Sequence, residues 1–398
     1  MPWKETCAMD QRMQLIGDWL KRESSVTDLS ELYGVSRPTV YKWIARYRER
    51  GSLGLSEMAR KPLNHPNATC PELVEKIVGM KLLHQKMGPK KIIANLQQQY
   101  TQVRWPAIST AGEILRRQGL VRHRKRKRRV TPYADPLLGC DRPNSVWSAD
   151  YKGQFNTGDE KPCYPLTITD NNSRYLLQCR GLSQPSHEET QSWFEWTFRE
   201  YGLPDAIRTD NGVPFASAAL GGLSRLSVWF IKLGIRPERI RPGHPEQNGR
   251  HERMHRTLKE ATVDPPKHNL AEQQQAFEEF KHEYNCERPH EALGQKTPAS
   301  VYQPSARTYP IRLPQVEYDD DVVVKRVRHS GELYWKGQFI HISQVLAKEP
   351  IALKQIDDHL WTISFSFYPL GVLDEVTGKV SPLKKTEGKC KRCARFKM

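Results

Sequence analysis

The sequence predicts a central α/β core, preceded by all-helical modules and followed by a β-rich segment. Three observations carry this. Between residues 10 and 120 apolar side chains recur at three- and four-residue spacing, the period of helices buried along one face. From about 140 the composition shifts toward β-branched and aromatic residues, and strand-like runs alternate with helical ones. After Pro304 the helical period fades and short extended runs take over.

Composition narrows the partners. The chain has 398 residues, room for two to four domains. A formal charge of +17 and a pI near 9.5 favour a polyanionic partner, most simply nucleic acid. Eight cysteines are scattered, and only Cys390 and Cys393 are close. That is no disulfide framework, and it points to a reducing cytosol. The start M-P-W-K-E-T-C-A-M-D lacks an apolar signal region, and no run is long enough to span a membrane. No membrane partner is expected.

The first module, 1–62, reads as three short helices. Met13, Ile16 and Leu20 stripe the first; Val26, Leu29 and Leu32 or Tyr33 the second. Gly34 breaks the run, and Ser36 can cap a third helix carrying Val40, Ile44 and Tyr47 inward. This is a helix-turn-helix pattern, whose recognition helix would present Arg37, Thr39, Lys42 and Arg46 to the major groove. Residues 63–121 repeat the plan, with Leu73, Ile77 and Met80, then Ile92, Ile93 and Leu96, then Ile108, Ile114 and Leu115. Lys90 and Lys91 open its second helix, where phosphate contacts are favoured. The linker 122–139 holds Arg122, His123, Arg124, Lys125, Arg126, Lys127, Arg128 and Arg129. Such a run is extended by self-repulsion and would replace counterions across a groove, or serve as a solvated tether.

The core segment, 140–303, begins with three strands expected at Ser145–Phe155, Tyr164–Asp170 and Tyr175–Leu182. A helix at His187–Tyr201 follows, with Trp193 and Trp196 read as core. Then come a strand at Ala206–Asp210, a mainly helical stretch Phe215–Leu233 weakened by Gly221 and Gly222, and a short strand or loop at 235–241. Helices are expected again beyond Asn248 and at Glu272–Tyr284. In the helix after Asn248, Met254 and Leu258 would face a core, while Glu252, Arg256 and Lys259 share another ridge at i, i+4 and i+7. One carboxylate and two cations on one ridge suit a site that holds a metal ion and a phosphate chain. One carboxylate cannot fix Mg²⁺ well, and Asp150 and Asp210, each at or near a strand end, are the candidates to complete the set. Residues 304–398 suggest a small β-barrel with a basic tail. A hairpin is expected from Val322–Val327 and Leu333–Ser343. The lone C-x-x-C of the tail is half a zinc site, read as free thiols.

The motifs W-S-A-D-Y, R-T-D-N-G-V-P-F-A-S and G-H-P-E-Q-N-G-R-H-E-R-M-H-R-T-L-K, with the tail Y-N-C-E-R-P-H-E-A-L-G, resemble the catalytic core of DDE transposases of the retroviral-integrase superfamily, the enzymes of bacterial insertion sequences. The resemblance covers roughly 140–303. It implies an RNase H-like fold, and it makes Asp150, Asp210 and Glu252 both the catalytic acids and the ligands of two Mg²⁺ (or Mn²⁺) ions. By the same resemblance, water would cut at the end of a mobile element and the freed 3′-OH would attack target DNA. Arg256 and Lys259 would hold phosphates, and Asn248, with His244, Gln247 and His251, would contact DNA or order the loop. The implied partners are double-stranded DNA, as element ends and as target, and further copies of the chain, a dimer or higher, in the synapse. The implied location is the bacterial cytoplasm, on the nucleoid.

Two ambiguities stay open at this level. The spacing common in retroviral integrases lands on Glu246, six residues before Glu252. Glu252 is preferred because it stands three residues after the loop glycine, Gly249, while Glu246 follows Pro245 in a turn-like stretch. Separately, His251-Glu252-Arg253-Met254-His255 matches the H-E-x-x-H zinc-peptidase signature. That reading explains neither Asp150 nor Asp210. A third possibility is a DNA-binding repressor derived from a transposase, against which the presence of all three acids argues.

Overall fold

The computed structural model describes residues 7–57, 68–121, 139–151, 153–210, 212–215, 217, 220–240 and 245–382, with only the backbone of 245 and 246. The chain divides into two compact units, Met1–Thr69 and Cys70–Met398.

The first unit contains α1 (Ala8–Lys21), α2 (Val26–Leu32) and α3 (Arg37–Arg50), followed by a 3-10 turn at Gly51–Leu55. Ser25 starts α2 with a reciprocal cap: its Oγ accepts from Asp28 N at 3.3 Å, and its own N–H donates to Asp28 Oδ2 at 2.9 Å. Gly34, at φ +61°, makes the turn into α3. Leu15, Ile16, Leu29, Val40, Trp43, Ile44 and Leu55 form the core. Met13, Leu20 and Leu32, expected inside, are instead 48 %, 52 % and 69 % exposed. Short neighbours cover only a narrow stripe of each helix, and on α1 that stripe is Leu15–Ile16.

The second unit opens with α4 (Pro71–Leu83), α5 (Pro89–Gln99) and α6 (Ile108–Arg117), packed around Ile77, Ile92, Leu96, Ala111 and Leu115. Ile108, expected inside, is 45 % exposed at the start of α6.

Next come β1 (Val146–Tyr151), β2 (Phe155–Asn156), β3 (Pro162–Asp170), β4 (Leu176–Leu182), α7 (His187–Tyr201), β5 (Ala206–Thr209), α8 (Arg225–Lys232), β6 (Arg236–Arg239), α9 (Gly249–Thr262) and α10 (Leu270–His282). The strands form one mixed sheet in the order β4-β3-β1-β5-β6, with β2 pairing the start of β3. β3 is antiparallel to both of its neighbours, β4 and β1; β5 and β6 continue from β1 in parallel. β1, β3 and β4 are buried over most of their length, because helices cover both faces of the sheet. On one face α7 and α8 bring Phe194, Phe198, Trp229 and Phe230 against Trp147 and Ile168. On the other, α9 and α10 bring Met254, Leu258, Phe277 and Phe280 against Cys163, Leu176 and Cys179.

The helix expected over Phe215–Leu233 is short. Gly221 and Gly222 both take positive φ, and only Arg225–Lys232 is α-helical. Trp193 packs partly buried against the core with Arg180 4.2 Å above its ring, but Trp196 is 44 % exposed, one face further round α7.

The three-helix module docks on the tail of this core. Beyond α10 a π-helical turn covers Glu283–Glu287. His84 lies 3.5 Å from Glu283 and 3.7 Å from Glu287, and buried Asn95 donates to the Glu287 carbonyl at 3.0 Å.

The C-terminal strands are β7 (Val323–Arg326), β8 (Glu332–Trp335), β9 (Gln338–His341), β10 (Pro350–Asp357), β11 (Leu360–Phe365), β12 (Tyr368–Asp374) and β13 (Lys379–Ser381). They make an antiparallel sheet, β13-β12-β11-β10-β7, and a separate hairpin, β8-β9. The barrel expected here does not close among the described residues, because β7 and β13 lie on opposite edges of the sheet and do not pair. Nor do 322–327 and 333–343 pair with each other. Lys336 and Gly337, both at positive φ, form a two-residue turn that folds 332–341 on itself, and β7 pairs β10 instead. Among the described residues no helix is long and apolar enough to cross a membrane.

Candidate active site

β1 and β5 run parallel, and their register ends at the pair Ala149 and Thr209. Asp150 and Asp210 are the next residue on each strand, so two carboxylates stand side by side at the carboxyl ends of neighbouring strands. Both are partly buried. Oδ1 of Asp210 is buried and has no hydrogen-bond partner among the described residues. Burial raises the Asp210 carboxyl above the usual range, and a hydrogen bond from the Gly212 backbone opposes the shift. A Cβ on Gly212 would lie 2.9 Å from Asp210 Oδ2, so a side chain there would push the carboxylate from its position.

On its other side Asp150 is registered with Thr167 of β3. Thr167 Oγ1 is a junction: it donates to the Asp150 carbonyl at 3.0 Å and meets Nε2 of both His251 and His255 at 2.7 Å. A hydroxyl has one hydrogen, and the carbonyl takes it. Both imidazoles therefore donate through Nε2. Nδ1 of His251 then accepts from Thr169 Oγ1 at 2.9 Å. Burial holds His251 neutral, with its pKa down to about 3. Nδ1 of His255 faces Asp150 Oδ2 across 3.9 Å. Asn248, just before α9, reaches the same oxygen, its Nδ2 at 3.4 Å. Asp150, His251 and His255 thus place potential ligand atoms within 4.8 Å of one another.

α9 has two faces. His251, Met254, His255, Leu258 and Thr262 are buried against the sheet and α10. Glu252, Arg256 and Lys259 are exposed. Glu252 makes no hydrogen bond or ion pair among the described residues. The structure therefore brings Asp150, Asn248, His251 and His255 together, places Asp210 at the end of the neighbouring strand outside that cluster, and sets Glu252 one residue from His251 on the open side of the same helix. Glu246 falls in the 3-10 turn Pro245–Asn248, with its side chain outside the described atoms. His244, the basic run Arg122–Arg129 and the pair Cys390 and Cys393 lie outside the described residues. The H-E-x-x-H reading finds little support: both nitrogens of His251 are engaged by threonines, and Glu252 points away from them.

In the first unit, Arg37 and Lys42 are exposed on α3, while Thr39 and Arg46 are partly covered. The Thr39 and Ser36 hydroxyls lie 2.9 Å apart, and the Arg46 guanidinium sits 4.9 Å from the Trp43 ring centre. Lys90 and Lys91 behave differently from the expectation of phosphate contacts. Lys90 pairs with Glu291 at 2.5 Å. Lys91 is lowered to about 8, mainly by burial and next by the nearby Arg288 cation. Both ammonium groups meet the core tail because α5 docks there.

The sequence named His255 only within the H-E-x-x-H alternative, and it gave no sign of the threonine partners Thr167 and Thr169. The only local signal was the i, i+4 pair of histidines, which gives a shared helix face but not what it meets.

Two family models described as "Integrase core domain" match residues 141–245 and 233–298, and one described as "Helix-turn-helix domain" matches residues 11–61. The chain is 24 % identical over 258 residues to an insertion element IS476 uncharacterized 39.2 kDa protein of Xanthomonas euvesicatoria, covering 63 % of this chain and 71 % of that protein. It is 25 % identical over 259 residues to an insertion element IS407 uncharacterized 31.7 kDa protein of Burkholderia multivorans, covering 63 % and 89 %. Among solved structures, the HTLV-2 integrase catalytic core domain in complex with magnesium aligns at 19 % identity and TM-score 0.33, over 41 % of this chain and 98 % of that one. The two integrase-core matches, the helix-turn-helix match and the insertion-element relatives together support an insertion-sequence transposase of the retroviral-integrase superfamily.

Proposed function

We propose that the protein binds the terminal inverted repeats of its mobile element, cleaves to expose 3′-OH ends and joins them to target DNA by metal-dependent transesterification. The observation that carries this is the pair Asp150 and Asp210 at adjacent parallel strand ends, one of them with a buried carboxylate oxygen that no described group satisfies. A buried carboxylate oxygen left without a hydrogen-bond donor fits a cation. Asp150, Asp210 and Glu252 would hold it, as two Mg²⁺ or Mn²⁺ ions. When bound, such ions supply Lewis-acid activation of a hydroxyl and neutralise charge at the phosphate.

The chain's own groups do the rest. Arg256 and Lys259, exposed on the Glu252 ridge, hold DNA phosphates. Asn248 orients the Asp150 carboxylate. In the first step water displaces the flanking strand at phosphorus and leaves a 3′-OH. In the second that 3′ oxygen attacks a target phosphodiester, and the target's own 3′ oxygen leaves. Arg37, Thr39, Lys42 and Arg46 read the terminal repeat, and the run Arg122–Arg129 adds phosphate contacts. Lys90 and Lys91, turned toward the core tail, are not carried into this set.

The layout that goes with this reading is a helix-turn-helix domain at 1–62, a helical module at 63–121, a basic linker at 122–139, an RNase H-like core at 140–303 and a β-rich domain at 304–398. Two element ends must be held together, which calls for at least a dimer.

The test is strand joining with duplexes carrying an element end, in Mg²⁺ or Mn²⁺. Joined products should form with the wild type and with Glu246→Gln, and vanish with Asp150→Asn, Asp210→Asn and Glu252→Gln. Loss in Glu246→Gln with Glu252→Gln still active would transfer the third acid to Glu246. A wild type that binds the end but joins nothing overturns the proposal.

A further inference from the structure

We propose that Arg174, Arg250, Arg253 and Arg288 form a binding site for the phosphate backbone of DNA, beside the first turns of α9. It rests on the reading of the chain as a DNA-binding enzyme and adds contacts that neither the helix-turn-helix domain nor the Glu252 ridge supplies.

The four side chains come from three stretches of chain. Arg250 and Arg253 lie three residues apart on α9 and are exposed. Arg174 leads into β4, and Arg288 follows the π-helical turn; both are partly buried. Two of them converge on one atom: Arg174 and Arg250 each donate to the Asn171 carbonyl, at 2.7 and 3.1 Å. The others gather at buried Tyr284. Burial lifts its hydroxyl to about 12, against the pull of Arg288, Arg174 and Arg253.

This gathering has no counter-ion. Among the described residues none of the four guanidiniums forms an ion pair, and the carboxylates of the core tail are turned elsewhere. Glu283 and Glu287 face His84 at 3.5 and 3.7 Å, and Glu291 holds Lys90 at 2.5 Å. Arg174 is lowered to about 10, by burial first and then by Arg250, and it still carries its charge at neutral pH. Burial lowers Arg288 too, although Glu283 opposes it. Like charges gathered with reduced access to water are costly until an anion joins them.

DNA phosphates suit the arrangement. The planar guanidinium fork matches phosphate oxygens two at a time. Four forks spread over three stretches of chain can serve successive phosphates, and the charge of +17 favours a polyanion. The Asn171 N–H donates to the Val146 carbonyl, four residues before Asp150 on β1, which is roughly 13 Å along the strand. A backbone held by the cluster would therefore run beside the helix that carries Glu252.

The test uses the full chain and a random-sequence duplex, with affinity read by fluorescence anisotropy over a series of salt concentrations. Arg250 and Arg253 are exposed, so the double variant Arg250→Gln/Arg253→Gln should fold. Its slope of log affinity against log salt should be lower than wild type by about 2, with affinity at physiological salt down about tenfold or more. Arg250→Lys/Arg253→Lys keeps both charges and should restore the slope, which a packing role would not. Arg199→Gln, on α7 across the sheet, should leave the slope unchanged. A wild-type slope in the double glutamine variant overturns the proposal, and so does an equal loss in Arg199→Gln. Loss of self-association in the double variant with the slope intact also overturns it, by giving the cluster to an acidic segment of a second copy. Strand joining is not read here. A wild type that shows these slopes but joins no ends sinks the proposed function and leaves the site standing, while a wild type that binds no DNA removes both.

Discussion

Thr167 and His255 are joined by a 2.7 Å hydrogen bond although 88 residues separate them in the chain. The same hydroxyl holds His251 and the Asp150 backbone, so one threonine in the middle of β3 sets the height of α9 above the sheet.

Thr167→Val should therefore destabilise far more than its change of volume suggests. It leaves two buried N–H donors without an acceptor, a loss of about 2–5 kcal/mol. Urea unfolding measures this directly. Thr167→Ser keeps the hydroxyl and should recover most of the stability. A valine variant within about 0.5 kcal/mol of wild type would mean the junction holds nothing.

Asp210→Asn should act in opposite directions with and without metal. Burial raises the Asp210 carboxyl, so folding disfavours its charged form. That penalty appears as pH rises above the unfolded value and is complete once pH has passed the raised folded value. Removing the charge should leave metal-free protein as stable as wild type or more so. The same substitution should erase the rise in Tm that Mn²⁺ gives the wild type. A metal-free variant that melts well below wild type would show that the carboxylate is already satisfied.

Acid should loosen the protein well before its carboxylates protonate. His251 titrates near 6.5 when unfolded and at about 3 when folded. The folded state therefore resists a proton that the unfolded state accepts. Stability is complete above about pH 6.5 and is lost as pH falls toward 3, by about 1.4 kcal/mol per pH unit for each such histidine. His290, held at about 3 mainly by burial and next by Lys91, adds a term of the same sign. Unfolding midpoints between pH 6.5 and 5 should fall in wild type and fall less steeply in His251→Gln. Equal slopes would remove His251 from the account.

Salt should separate the two sets of lysines. Lys42 is exposed on α3, and its loss should lower the slope of log affinity against log salt by about 1 in binding to an element end. Lys90→Ala should leave that slope unchanged, because its ammonium already faces Glu291. This surface pair should also contribute less than about 1 kcal/mol to stability. A Lys90→Ala slope change as large as that of Lys42→Ala would return Lys90 to the DNA interface.

Much of this molecule is local enough to be legible. α7 begins at His187 and ends at Tyr201 as periodicity predicts, and the two faces of α9 follow from spacing alone. Asp150 and Asp210 sit at strand ends because each follows a short apolar run and precedes a turn. What escaped is long-range. The partner of His255 is a strand residue that no nearby letter names. α5 was read as facing DNA because its cations lie at a helix start, yet its docking depends on Glu283–Glu291, far along the chain. The closure of the C-terminal strands depends on whether the first and last meet, and strand patterns carry no information on that.

The two-sidedness of α9 has an evolutionary reading. Its inner face answers to folding, and its outer face carries Glu252, Arg256 and Lys259, the residues proposed for the chemistry. A single nucleotide change that neutralises Glu252 touches no packed atom, so the product keeps its fold and its helix-turn-helix domain. Under the proposed function, such a chain would still occupy element ends and would poison mixed assemblies with active copies. A self-limiting brake on the element's own spread would then be one point mutation away.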